Sequence, residues 1–180
     1  MSEIEAFSRQ IRSRSIEHAN AMSLLFPAHL VGSMVSILRQ ELDSMIRVIY
    51  LLSLPLDRRN FLISESVNGN KWRVTDKEMV DLAHELLGWT KSVYKFGCAF
   101  IHLSSFHDYA IRDPFAALPA DEQRDVIQHC RDYHGGPTSE NPTFHDFVPY
   151  LPHILEKISD NLECYLGQLE NGQMMSPGDI

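Results

Sequence analysis

The sequence predicts an all-α protein: a single helical bundle of four to five main helices over residues 1–170, followed by a disordered tail over 171–180. Two observations predict it. Apolar residues recur at three- and four-residue spacing along nearly the whole chain, which places them on one face of a helix. No alternating run of useful length appears, so strands are not expected. Pro27, Pro55, Asn68-Gly69-Asn70 and Gly135-Gly136-Pro137 punctuate the periodic stretches.

The first helix is expected over residues 3–25, where Ile4, Phe7 and Ile11 share a face. The Phe26-Pro27 junction should stop it, since proline lacks an N–H and restricts the residue before it. A second helix is expected over 28–53. Its apolar positions, among them Val31, Met34, Val35, Leu38, Leu42, Met45 and Ile49, form one broad stripe suited to the centre of a core. Pro55 ends it, and 57–66 predicts a short helix before the turn signal Asn68-Gly69-Asn70. Thr75-Asp76-Lys77-Glu78 reads as a capping box. It opens a third helical region running to about Tyr109, with Gly88 a place for a bend. Asp113-Pro114-Phe115 reads as a loop, and Pro119 to His134 as a helix stopped by Gly135-Gly136-Pro137. Residues 137–148 read as irregular. The last helix spans Pro149 to Leu169, with Ile154, Leu155, Ile158, Leu162, Leu166 and Leu169 on one face.

With 180 residues, 44% hydrophobic and 22% charged, the chain is long enough for one sizeable core. A net charge of −8 provides no general attraction to nucleic acid or to anionic membranes. The N-terminal residues lack a basic segment followed by an apolar run, and the longest greasy stretch, Val48 to Leu56, is too short to span a bilayer. Cys98, Cys130 and Cys164 are odd in number and widely spaced, as free thiols are. The expectation is a cytoplasmic protein with no nucleotide cofactor and no membrane partner. Nucleotide-binding glycine loops and a nucleophile elbow are both missing from the sequence.

Polar residues inside apolar patterns mark the candidate sites. Glu41 projects beside Met34 and Met45 within the stripe of the second helix. A carboxylate there is an acid/base group or metal ligand, or else a buried structural pair with an arginine or histidine of another helix. Arg39 lies at the edge of the same stripe. Residues 95–109 carry Lys95, His102, Ser104, His107, Asp108 and Tyr109 in an otherwise apolar stretch. Burying such groups requires partners. On a continuous helix Ser104, His107 and Asp108 fall on the more apolar side, while Lys95, His102 and Tyr109 fall opposite. Arg39, Glu41, Ser104, His107 and Asp108 are therefore assigned to a buried polar core. His107-Asp108, with Glu41, His102 and His134, offers oxygen and nitrogen ligands of the kind used by metal-dependent helical phosphohydrolases, although the apolar-His-Asp-Ile-Gly context of those enzymes is missing.

Arg124-Asp125-Val126-Ile127-Gln128-His129 has the spacing Arg, polar, three residues, His. In this it resembles the signature of the HEPN superfamily, small all-helical proteins of toxin–antitoxin and antiphage defence systems. Leu38 to Leu52 resembles the first core helix of HEPN-like abortive-infection proteins, and Phe100-Ile101-His102-Leu103-Ser104 their later aromatic-x-His-x-Ser segment. The chain departs from the pattern in carrying Lys95, not arginine, ahead of His102. The resemblance implies a cytoplasmic homodimer acting as a metal-independent ribonuclease without a cofactor. Arginine would hold a phosphate, and histidine would act on the 2′-hydroxyl across the dimer interface. The catalytic candidates are His102 with Lys95 and Tyr109, or Arg124 with His129. A non-enzymatic helical interaction module with a partner protein is the alternative, and a metal-dependent hydrolase is the third reading.

Overall fold

The computed structural model describes residues 2–101 and 108–175, with the side chains of 99–101 left out. The expected His102, Ser104 and His107 lie outside the described residues. Among those described the chain is helical and has no strand: α1 (Glu3–Leu25), α2 (Val31–Leu52), α3 (Leu56–Val67), α4 (Asp76–Leu87), α5 (Thr90–Ile101), α6 (Ala120–His134), the single turn α7 (Phe144–Phe147) and α8 (Leu151–Glu170). The all-α expectation holds. The expected four to five main helices do not, because seven of these helices run twelve residues or more.

Local chemistry explains the differences. The helix expected over 28–53 starts at Val31, because the turn after Pro27 consumes the residues before it. His29 sits there at φ 54°, and the Leu30 N–H reaches back to the Leu25 carbonyl at 3.1 Å. Over its described residues, the single region expected from Thr75 to about Tyr109 is divided into α4 and α5. Gly88 takes φ 76° and its N–H closes α4 onto the His84 carbonyl at 2.8 Å, a left-handed cap that glycine adopts without penalty. Only half of the expected capping box forms. Thr75 accepts the Glu78 N–H, but the Glu78 carboxylate accepts the Tyr50 hydroxyl at 3.1 Å instead of turning back to Thr75.

The central helix α2 packs against α1, α4, α5 and α8, and its stripe from Met34 to Leu52 is almost completely buried. Its C-terminal carbonyls would be orphaned inside the protein. Arg59 of α3 supplies donors instead: its Nε donates to the Leu51 carbonyl at 2.9 Å and an Nη to that of Leu52 at 3.2 Å. The Leu52 carbonyl also accepts the Met175 N–H at 2.9 Å, so Met175, within the segment expected to be a disordered tail, is buried against the core. At the surface Arg12 of α1 bridges Glu163 and Glu170 of α8 at 2.7 and 2.6 Å. Among the described residues no helix is long and apolar enough to cross a membrane.

Candidate functional site

Glu41 is fully buried where α1, α2 and α8 meet. Ser15 and His18 stand three residues apart on α1 and so share a face. The Ser15 hydroxyl donates to Glu41 Oε1 at 2.6 Å, and the Ser159 hydroxyl of α8 donates to the same oxygen at 2.9 Å. His18 Nδ1 lies 2.6 Å from Oε2. An ionised carboxylate only accepts, so the histidine is the donor in that bond. Burial alone would raise this carboxyl's pKa, but the bonds from His18, Ser15 and Ser159 outweigh it and hold Glu41 below its usual range. Both oxygens are engaged within the protein. The arrangement ties three helices together and leaves no open coordination for a substrate.

Arg39 is buried one turn from Asp43. Its guanidinium carbon lies 3.4 Å from the centroid of the Tyr94 ring, its Nε donates to Cys98 Sγ at 3.3 Å, and one Nη lies 3.6 Å from Asp43. Gly97 permits this approach: a Cβ there would stand 2.7 Å from the Arg39 Cβ. Burial pushes the Tyr94 phenol above its usual range.

The remaining sequence candidates disperse. Lys95 is exposed and pairs with Glu122 of α6 at 3.1 Å. The Asp108 side chain, assigned to the polar core, is 44% exposed and faces Arg112 at 3.5 Å, so its charge stays in solvent. Tyr109 packs its ring 6.0 Å from that of Phe144. Arg124 and His129 share α6, yet five residues turn a helix by about 500°, which leaves them roughly 140° apart. Arg124 accordingly points to solvent, and His129 points inward. Among the described residues no three His, Cys, Asp or Glu side chains converge as metal ligands.

His129 stacks on Trp89 with ring centroids 4.9 Å apart and planes 29° from parallel. Burial, followed by the neighbouring His134, pushes its pKa down to about 4, so its imidazole is neutral at pH 7. These rings form part of the wall of a cavity of about 340 Å³ between α2, α5, α6 and α8. Val35, Leu38, Val93, Phe96, Phe115 and Phe147 provide apolar walls. Phe115 and Phe147 reach the site from segments that the periodicity assigned to a loop and to irregular chain. Asp113 Oδ1 joins those segments by accepting the N–H groups of Phe115 and Phe144 at 3.0 and 2.9 Å. The polar groups gather on the α6 and α8 side: His129, Tyr133 and His134 opposite Lys157, Asn161 and Tyr165. The last three recur every four residues along one face of α8. Cys130 also lines the cavity, and burial pushes its thiol up to about 11, so it is protonated at neutral pH.

The charge of the lining is one-sided. The chain has 24 acidic residues and a net charge of −8, yet no Asp or Glu is among the described residues lining the cavity, whose charged members are Arg39 and Lys157. The arrangement can take up an apolar body and offer hydrogen-bond donors at one edge. Neither His129 on Trp89 nor the aromatic walls were found from sequence, because each joins residues far apart in the chain. Comparison of the chain with protein-family models, with curated proteins and with solved structures finds no match.

Proposed function

We propose that this chain binds a small, largely apolar organic molecule in the cavity between α2, α5, α6 and α8. The observation carrying the reading is the cavity itself: about 340 Å³, walled by aliphatic and aromatic side chains, with a few polar groups along one side. Ligand sites have this size and this balance of apolar wall to convergent polar groups. A volume of 340 Å³ corresponds to about eleven waters of liquid, which suits a ring system or chain of roughly a dozen non-hydrogen atoms. The Glu41 cluster then serves stability, holding α1 and α8 against α2. The test is calorimetric titration with neutral 1-naphthol. The expected result is 1:1 binding with a negative heat-capacity change, abolished in Val126→Trp, whose indole enters the wall of the cavity. Absence of binding in the native protein would overturn the reading.

Ribonuclease action by a HEPN-like homodimer of a bacterial defence or toxin-type system is the second reading. It is favoured by Arg124, which stands exposed on α6 with no ion pair or hydrogen bond among the described residues. His129 faces the cavity on Trp89 in every copy of the chain, so pairing it with Arg124 of a second copy requires it to leave that stack. Chelator-resistant RNA cleavage lost in both Arg124→Ala and His129→Ala would favour this reading over the first.

A further inference from the structure

We infer that the ligand of this cavity carries a single carboxylate, held at the α6–α8 edge by Lys157 with His134 and Asn161. The inference rests on the small-molecule reading above and adds the chemical class of the ligand. Toward α2 and α5 the wall of the cavity is apolar except for Arg39, whose guanidinium is already taken up by Tyr94, Cys98 and Asp43. The other polar groups lie on the opposite side, and there the cavity opens: Lys157 is exposed and Tyr133 is 61% exposed. Lys157 and Asn161 are neighbours one turn apart on α8, and His134 is the last residue of α6. Among the described residues the Lys157 side chain makes no ion pair, and neither the Lys157 nor the Asn161 side chain makes a hydrogen bond. Both therefore have donors to offer a ligand.

The charged groups around this edge favour an anion. Burial, then the neighbouring His153 and Lys157, holds His134 below its usual range, so it offers a neutral N–H. His153 lies beside Glu156 at 3.7 Å on the solvent side of α8. Asp132, the acidic residue nearest in sequence on α6, accepts from the Gln128 amide at 2.7 Å. One lysine cation, one neutral imidazole and one amide match a monoanion with two acceptor oxygens. A dianionic phosphate would leave a charge uncompensated against a protein that is already at −8. An apolar body with a carboxylate head fits both ends of the cavity at once.

Trp89 provides the readout. The chain has two tryptophans, and Trp72→Phe leaves Trp89, in the cavity wall, as the single reporter. That protein is titrated at pH 7.5 with nonanoate, 1-nonanol and nonyl phosphate, which share one chain and differ in the head. The expected result is nonanoate binding about tenfold tighter than 1-nonanol, as a charge-assisted bond at a partly open site allows. Lys157→Met should bring nonanoate to the level that 1-nonanol shows in the same variant, and should keep the helical circular dichroism. Equal affinity of nonanoate and nonanol, or an unaltered preference in Lys157→Met, would overturn the carboxylate while leaving the cavity reading intact. Nonyl phosphate binding more tightly than nonanoate would also overturn it. Failure of all three probes to bind would overturn the cavity reading and this inference together.

Discussion

Replacing Glu41 by alanine removes the acceptor that Ser15, His18 and Ser159 share. Three donors from two other helices then lose an acceptor that is itself fully buried. Hydrogen bonds to a charged group contribute about 1.5–3 kcal/mol each, and they do not add when they share one acceptor. Breaking a buried pair from one side costs about 3–5 kcal/mol, and about 4 is the figure for Glu41→Ala. Domains of this kind have a total stability of about 5–15 kcal/mol, so the loss is a large fraction of the whole. With a urea slope of about 2 kcal/mol per molar, the unfolding midpoint should fall by roughly 2 M. Glu41→Gln should be milder, because its carbonyl can still accept from the serines and His18 can change tautomer. The pH dependence identifies the charge. Glu41 titrates below its ordinary value of 4.5 in the folded protein. Its contribution is therefore complete above that value and disappears as pH falls through the folded pKa. The gap between native protein and Glu41→Gln should close as pH falls below 4.5. A loss under 1 kcal/mol for Glu41→Ala, or a gap that does not close in acid, would refute the assignment of Glu41 as an ionised tie between helices.

Three other outcomes follow. His129 protonates at about 4 when folded and about 6.5 when unfolded, so between those values the unfolded chain holds the extra proton and stability falls as pH is lowered. From pH 7.5 to 4.5 this removes about 2–3 kcal/mol, absent in His129→Phe, and quenching of Trp89 by the imidazolium should titrate near 4; a quench near 6.5 would contradict the burial. Gly97→Ala should destabilise by about 1–2 kcal/mol although alanine favours a helix by about 1, because its Cβ meets that of Arg39 at 2.7 Å; thermal unfolding reads this, and a gain in stability would contradict the packing. Arg59→Leu should cost about 1–2 kcal/mol by removing its donors from the Leu51 and Leu52 carbonyls, which keep the N–H groups of Leu54 and Met175, with no recovery in Arg59→Lys, whose single ammonium cannot span both; full stability of either variant would contradict the capping role.

What could be read from the sequence was local. Pro27, Thr75 and Gly135 mark helix ends through their own backbone chemistry, and α1, α3, α6 and α8 lie close to where periodicity places them. Gly88 was harder to read. A glycine inside a periodic stretch is compatible with a bend or with a left-handed stop, and only the packing of α5 separates the two. Glu41 stood out because a carboxylate does not belong on an apolar stripe. Its partners did not, since Ser15, His18 and Ser159 are ordinary residues until the bundle brings α1 and α8 to the same point. The same limit hid the cavity. Trp89 and His129 meet across forty positions, and Phe115 and Phe147 come from segments without period, so no window of the chain contains the site. Arg124 and His129 show the converse: a motif can be correctly spaced in sequence while the helix turns its two members to different surroundings.

The location of ligand binding is the central claim, and amide-resolved NMR of the isotope-labelled protein during titration with 1-naphthol tests it most directly. Saturable shifts are expected at the Trp89 indole N–H and at backbone amides of residues 126–134 and 154–165, with the amides around Ser15 and His18 unmoved. Shifts centred on the Glu41 cluster, or a spectrum that does not change on addition of the probe, would contradict the claim.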